Sequence, residues 1–208
     1  AISPDMLQKA LNFSIQDSFN MISVDRDTST NDTMVILANG MAENAEIVSE
    51  GEDFEVFKKA LLELSLGLSR SIAKDGEGAS KLLECVVTGA KSKEDARKIA
   101  KSVICSPLLK CAMFGSDANW GRILCAIGYA GADTDVSKIS VGFKSTAGEI
   151  RVCENGGGIA FSEEKAKEVL SCDKIIIDVI LGDGDFSATA FGCDLTYDYV
   201  RINGDYRS

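Results

Sequence analysis

Histidine is absent from this chain. Without imidazole it cannot build a Ser-His-Asp or Cys-His nucleophile relay from its own residues, nor a histidine-ligated zinc site. Any general base must be a carboxylate, a lysine, a free amine or a group on another chain. Basic residues are also in deficit: 22 Lys and Arg face 32 Asp and Glu, a formal charge of −10. Such a surface repels nucleic-acid phosphates and anionic membranes, and it suits cationic or zwitterionic small molecules. No apolar run approaches the ~18 residues that span a bilayer. The opening AISPDMLQKAL lacks the basic start and apolar core of a secretory leader. Together these absences predict neither nucleic acid nor membrane as partner, and the seven cysteines, which read as reduced thiols, predict a cytoplasmic protein.

What is present predicts a core. The chain has 208 residues, of which 45% are hydrophobic, enough for one large domain or two small ones. Ser3-Pro4-Asp5 starts a helix, with a side-chain cap, Pro at the first turn and an acid near the positive end. Leu7, Leu11, Ile15 and Phe19 give that helix one apolar face. Residues 33–37 have strand composition and close on Asn39-Gly40 as a turn. Phe54, Phe57, Leu61, Leu64, Leu68 and Ile72 mark a long amphipathic helix ending at Asp75-Gly76-Glu77-Gly78. A buried strand over 82–88 follows. Ser92 and Asp95 then open a helix to about Ile104, which Pro107 interrupts or follows. A helix is predicted over 120–129, strands over 139–143 and 149–153, and a Ser162-capped helix to about Leu170. Residues 175–181 form the most apolar strand, and the tail supplies at least one more. Leu195, Tyr197, Tyr199, Val200 and Ile202 give that tail apolar surface with which to dock. Strands alternate with helices, yet turn-linked strand pairs also occur. The expectation is α/β with mixed α+β layers, not a doubly wound parallel sheet. Residues 1–208 read as one unit, with room for two lobes meeting near 110–135.

Several clusters carry chemistry, each beside a plainer structural explanation. The seven cysteines are odd in number, form no CxxC pair and sit mostly among apolar neighbours, as reduced buried thiols would. Glu77 stands between two glycines, where a ligand can approach closely; a helix-ending acidic turn looks the same. The polar run 25–33 is either a solvated loop or one whose hydroxyls brace neighbouring backbone. Its three acids do not follow EF-hand spacing, and no metal is expected. Asn119 can cap the helix that follows it, and Arg122 either grips a carboxylate or pairs with Asp117. Asn155-Gly156-Gly157-Gly158 lacks both the GxGxxG order and the P-loop lysine, so it reads as a turn. No nucleophile with an adjacent base emerges from the residues alone.

Five strings in one order cover essentially the whole chain: DTSTNDT (27–33), DGEGAS (75–80), SPLLK (106–110), GSDANWGRI (115–123) and ATAFGCDLTYDYVRIN (188–203). Together they resemble the β chain of the arginine-biosynthesis ornithine acetyltransferase, or glutamate N-acetyltransferase, family. The resemblance implies a helix/sheet sandwich of the ornithine acetyltransferase, N-terminal-nucleophile aminopeptidase-like type. It implies a precursor that cleaves itself before a threonine, whose hydroxyl becomes the nucleophile and whose α-amine is the base. Acetyl would then pass from N-acetylornithine through acetyl-threonine to glutamate. No cofactor is implied, although acetyl-CoA serves some members as donor. The implied partners are the α chain of the same precursor, in an α2β2 assembly, and small amino-acid substrates.

On the same resemblance, Glu77, Asn203 and Ser208 bind substrate, with Glu77 as a desolvated carboxylate holding the ornithine ammonium. Ser208 stands where many relatives have Thr. Arg26 replaces an expected glycine, and Phe191 an expected Trp. On that resemblance the chain has no catalytic residue of its own: it begins at Ala1, not Thr, and family spacing puts the threonine about ten residues upstream. This polypeptide alone is therefore expected to be inactive. Two alternatives are an amidase or aminopeptidase sharing the N-terminal-nucleophile fold, and a non-catalytic binding subunit.

Overall fold

Short polar caps divide this chain into helices. In the computed structural model, which describes residues 1–206, Ser3 accepts from the Met6 amide and Pro4 opens α1 (Pro4–Gln16). A two-residue strand, β1 (Ile22–Ser23), leads into a loop and then α2 (Glu52–Lys74), followed by β2 (Leu82–Ala90). Ser92 accepts from Asp95 N at the start of α3 (Lys93–Ile104). Ser106 then caps a separate α4 (Pro107–Phe114), with Pro107 in its first turn rather than inside α3. Asn119 accepts from Arg122 N to begin α5 (Trp120–Gly128). The hairpin β3 (Ser140–Ser145) and β4 (Gly148–Glu154) runs into the short β5 (Gly157–Gly158). Then come α6 (Glu163–Leu170), capped by Ser162, β6 (Lys174–Ile180), β7 (Phe186–Cys193) and α7 (Tyr197–Asp205).

The strands make one seven-stranded sheet in the order β1-β7-β2-β6-β3-β4-β5. It is mixed: β2 pairs parallel with β6 and antiparallel with β7. Side chains alternate across a strand, which places the helices. On β7 the Phe191 ring lies under Arg70 of α2, whereas Gly192 abuts Ile104 of α3. Helices α2 and α3 therefore cover opposite faces, and the α/β class with mixed layers is observed. The main core contains Leu83, Ile99, Ile104, Phe143, Ile177 and Phe191, all fully buried, and it includes Leu109, Met113 and Ile123 from α4 and α5. A smaller cluster of Met6, Ala10, Phe54 and Leu61 joins α1 to α2. Among the described residues, no helix is long and apolar enough to cross a membrane.

Four local expectations are corrected. Residues 33–37 are not a strand: no neighbour offers them a backbone ladder, and Val35 and Leu37 are 67% and 90% exposed. Helix α1 buries Met6, Ala10 and Ser14 rather than the Leu7 row. Ser14 tolerates burial because its hydroxyl donates to Ala10 O. The apolar tail residues are not buried: beyond β7 the tail is a helix with Tyr197 and Val200 exposed, docked by polar contacts of Tyr199 and Asn203 and by the Tyr197 ring set edge-on to Phe114. Only Cys85, Cys153 and Cys193 are buried, while Cys111 and Cys125 are exposed.

Candidate functional site

Three segments far apart in sequence meet on the β1 side of the sheet. The first is the 75–81 loop that ends α2. Gly78 has φ +67°, and a Cβ there would lie 2.6 Å from Tyr199 N, so both conformation and closeness require glycine. The buried Asp194 carboxylate, just past β7, accepts from Ser80 N at 2.8 Å, Lys81 N at 2.9 Å and the Ser80 hydroxyl. Thr196 Oγ1 donates to Gly78 O at 2.6 Å while also capping α7. The loop is thus clamped before it reaches any ligand.

The second segment is the 22–34 stretch. Here Asp25 accepts from Asp27 N, Ser29 from Asn31 N, and Thr33 donates to Asn31 O, so the loop is braced by its own polar groups. The third is α7. Its Tyr199 hydroxyl donates to Asp25 Oδ2 at 3.0 Å. Burial first, then the hydrogen bond to Asp25, raises the Tyr199 phenol above its usual range and keeps it a proton donor. Asn203 Nδ2 donates to Glu77 Oε2 at 2.7 Å. Helix α7 therefore ties the two loops together.

Between these segments and α1 lies a cleft of about 1250 Å³. Asp25, Asp27, Asp32, Asp75 and Glu77 line it, and Lys101 is the one cation among its described lining residues. Leu11, Ile15, Phe19 and Ile72 also line it, beside the polar Gln8, Asn12 and Asn20, so the apolar row of α1 faces the cleft rather than the core. Ser23 also lines the cleft, and its buried hydroxyl has no hydrogen-bond partner among the described residues. This arrangement accommodates a cation on an aliphatic chain: carboxylates attract the charge, and the apolar side chains cover the methylenes.

The structure brings Glu77 and Asn203 into contact, whereas Ser208 lies outside the described residues. Glu77 is exposed, not desolvated as the resemblance implied. Arg122 does not pair with Asp117. It donates to Leu108 O at 2.6 Å, and Asp117 accepts from Asn119 instead. The 155–158 run is the β4–β5 turn, with Asn155 and Gly156 at positive φ. Among the described residues, no three metal-ligating side chains converge. Residue-level inference missed Asp194, Thr196 and Tyr199. An acid directly after a small-residue strand, in FGCDLT, is the one signal for Asp194.

Comparison with known proteins extends over the same residues. The ArgJ family model matches residues 1–208. The arginine biosynthesis bifunctional protein ArgJ 1 of Clostridium acetobutylicum is 57% identical over 207 residues, 100% of this chain and 51% of the relative. The glutamate N-acetyltransferase of Methanopyrus kandleri is 48% identical over 205 residues, 99% of this chain and 52% of the relative. The chain thus spans about half the length of the curated relatives it matches. The crystal structure of the arginine biosynthesis bifunctional protein argJ from Bacillus halodurans superposes with a TM-score of 0.93 at 44% identity, covering 99% of this chain and 95% of that one.

Proposed function

As the chain belongs to the ArgJ family over residues 1–208, we propose that it is the β chain of a glutamate N-acetyltransferase moving acetyl from N-acetylornithine to glutamate. The division into two chains is supported by a contrast of lengths. The relatives are about twice as long, at 51% and 52% coverage, yet the solved Bacillus chain is covered to 95%. The observation that carries the reading is the acidic cleft with its Glu77–Asn203 contact at 2.7 Å. It suits the ammonium of an ornithine-type substrate, with the methylene chain on Leu11, Ile15 and Phe19.

In this reading the nucleophile is a threonine on a segment preceding Ala1, with its α-amine as base. Its hydroxyl oxygen bonds to the acetyl carbonyl carbon while its proton passes to the amine. The C–N bond then breaks as the ornithine nitrogen takes that proton. Glutamate enters as a neutral amine, attacks the acetyl ester, and returns a proton to the threonine oxygen. This chain's part is to bind and orient: Glu77 and its acidic neighbours hold the ammonium, and Asn203 fixes Glu77 through one carboxylate oxygen. Five carboxylates repel a dicarboxylate such as glutamate, so the cations that receive it come from the α chain. The chain alone is accordingly inactive, and the working form is an α2β2 assembly. Ser208 takes the substrate-facing role the resemblance gives it.

The test is an assay of the full α/β assembly with N-acetylornithine and with acetyl-CoA as donors. Glu77→Ala should raise KM for N-acetylornithine at least about tenfold, the value of one charge-assisted contact, and leave the melting temperature unchanged. Unchanged kinetics would remove Glu77 from the site. Peptide hydrolysis without acetyl transfer would favour the amidase alternative.

A further inference from the structure

A second hollow lies on the other side of Lys101. It holds about 450 Å³, and its lining includes Arg26, Arg97, Lys98, Lys101, Tyr129 and Met21. No acid lines it among the described residues. Three of the cations come from α3, where positions 97, 98 and 101 share one face because residues three and four apart are neighbours. The fourth comes from the loop: Asp25 and Asp27 line the acidic cleft, while Arg26 between them lines this hollow.

Nearby acids do not cancel the charge. Asp17 is shared between Arg97 at 2.8 Å and Lys93 at 3.2 Å, and Glu94 pairs with Lys98 at 2.7 Å. The lining itself carries four cations, Arg26, Arg97, Lys98 and Lys101, and no acid among the described residues, in a chain that totals −10. Arg26 has no ion pair among the described residues. The Lys101 ammonium donates to Asn20 O and Ile22 O, which leaves one N–H for a guest. The lining also includes Tyr129, which is 59% exposed, with Met21 and Ala130. An open phenol ring next to cations suits a planar group attached to an anion. The volume lies within the range of small-molecule sites.

We propose that this hollow binds a phosphate ester of nucleotide type, with its phosphates on Arg26, Lys98 and Lys101 and its base against Tyr129. Guanidinium and ammonium groups match phosphate oxygens in charge and in donor geometry. A free nucleotide and the nucleotide end of a larger acyl carrier share this chemistry. The assignment does not depend on acyl transfer, since none of its residues belongs to the Glu77 cleft except the shared Lys101.

The test is calorimetric titration of the complete protein carrying this chain, with ADP as probe. Saturable binding that weakens with added salt is expected, with about a tenfold loss in Arg26→Gln and in Lys98→Gln. Both side chains are exposed, so neither change threatens the fold. Tyr129→Ala should weaken ADP while leaving inorganic pyrophosphate unaffected. Displacement of ADP by coenzyme A assigns the hollow to a carrier, and its failure assigns it to a free nucleotide. The proposal is overturned by no saturable ADP binding at millimolar concentration, or by binding that survives loss of both Arg26 and Lys98.

Discussion

Arg26 holds a backbone conformation made for glycine, with φ +82°. A side chain there costs about 1–2 kcal/mol in contact between Cβ and the following carbonyl. Replacing it by glycine restores unfolded-state freedom worth about 0.5–1 kcal/mol, which opposes the gain. The strain term is the larger, so Arg26→Gly should raise stability by about 0.5–1 kcal/mol in a denaturant titration, while losing the cation from the basic hollow. Asp194 behaves oppositely. Its buried carboxylate satisfies two backbone amides and a hydroxyl, and it supports Lys81, whose ammonium is held below its usual range by burial and lifted by Asp194. Asp194→Ala would orphan those donors and leave Lys81 without its acid. A loss of about 2–4 kcal/mol is expected from thermal or chemical denaturation. A change below about 0.5 kcal/mol would show that the clamp is dispensable.

At the scale of elements, α7 is held by a few polar contacts and the edge-on Phe114–Tyr197 pair rather than by burial; none of its residues is buried. Deleting residues 203–208 removes the Asn203–Glu77 contact and, among the described residues, no core packing. Stability should fall by only about 1 kcal/mol, and turnover of the assembly should fall further; unfolding of the truncated protein would make the tail structural. The same contrast separates what was legible from what was not. Ser3, Ser92, Asn119 and Ser162 act within three residues of themselves, so their helices could be read directly from local order. The buried apolar run of β6 was equally plain. Residues 33–37 carry strand composition without a strand, because pairing needs a partner that composition does not name. The clamp on the 75–81 loop spans 114 residues between Ser80 and Asp194, and the Tyr199–Asp25 bond spans 174. Contacts at such separations leave no periodic trace. Glu77 and Asn203 were found only because whole strings resembled a family. Nothing in their spacing joins them.

For the molecule as a whole, the unpaired 33–37 segment and the open apolar side chains of α2 matter together. Val35, Leu37, Met41, Leu64 and Leu68 are all substantially exposed. In the proposed assembly the α chain covers them. Amides of residues 34–37 should therefore exchange rapidly in the chain alone and become protected by at least about tenfold in the complex. Equal exchange in both forms would put the partner elsewhere.

Lys101 is a common wall between two hollows of opposite polarity. In the proposed reading, a negatively charged guest on one side partly offsets the one ammonium bordering the other among the described residues, and so raises that side's affinity for cations. Linkage makes the effect mutual: whatever factor one occupant imposes on the second affinity, the second returns undiminished. If both hollows bind as proposed, this one side chain couples their occupancies.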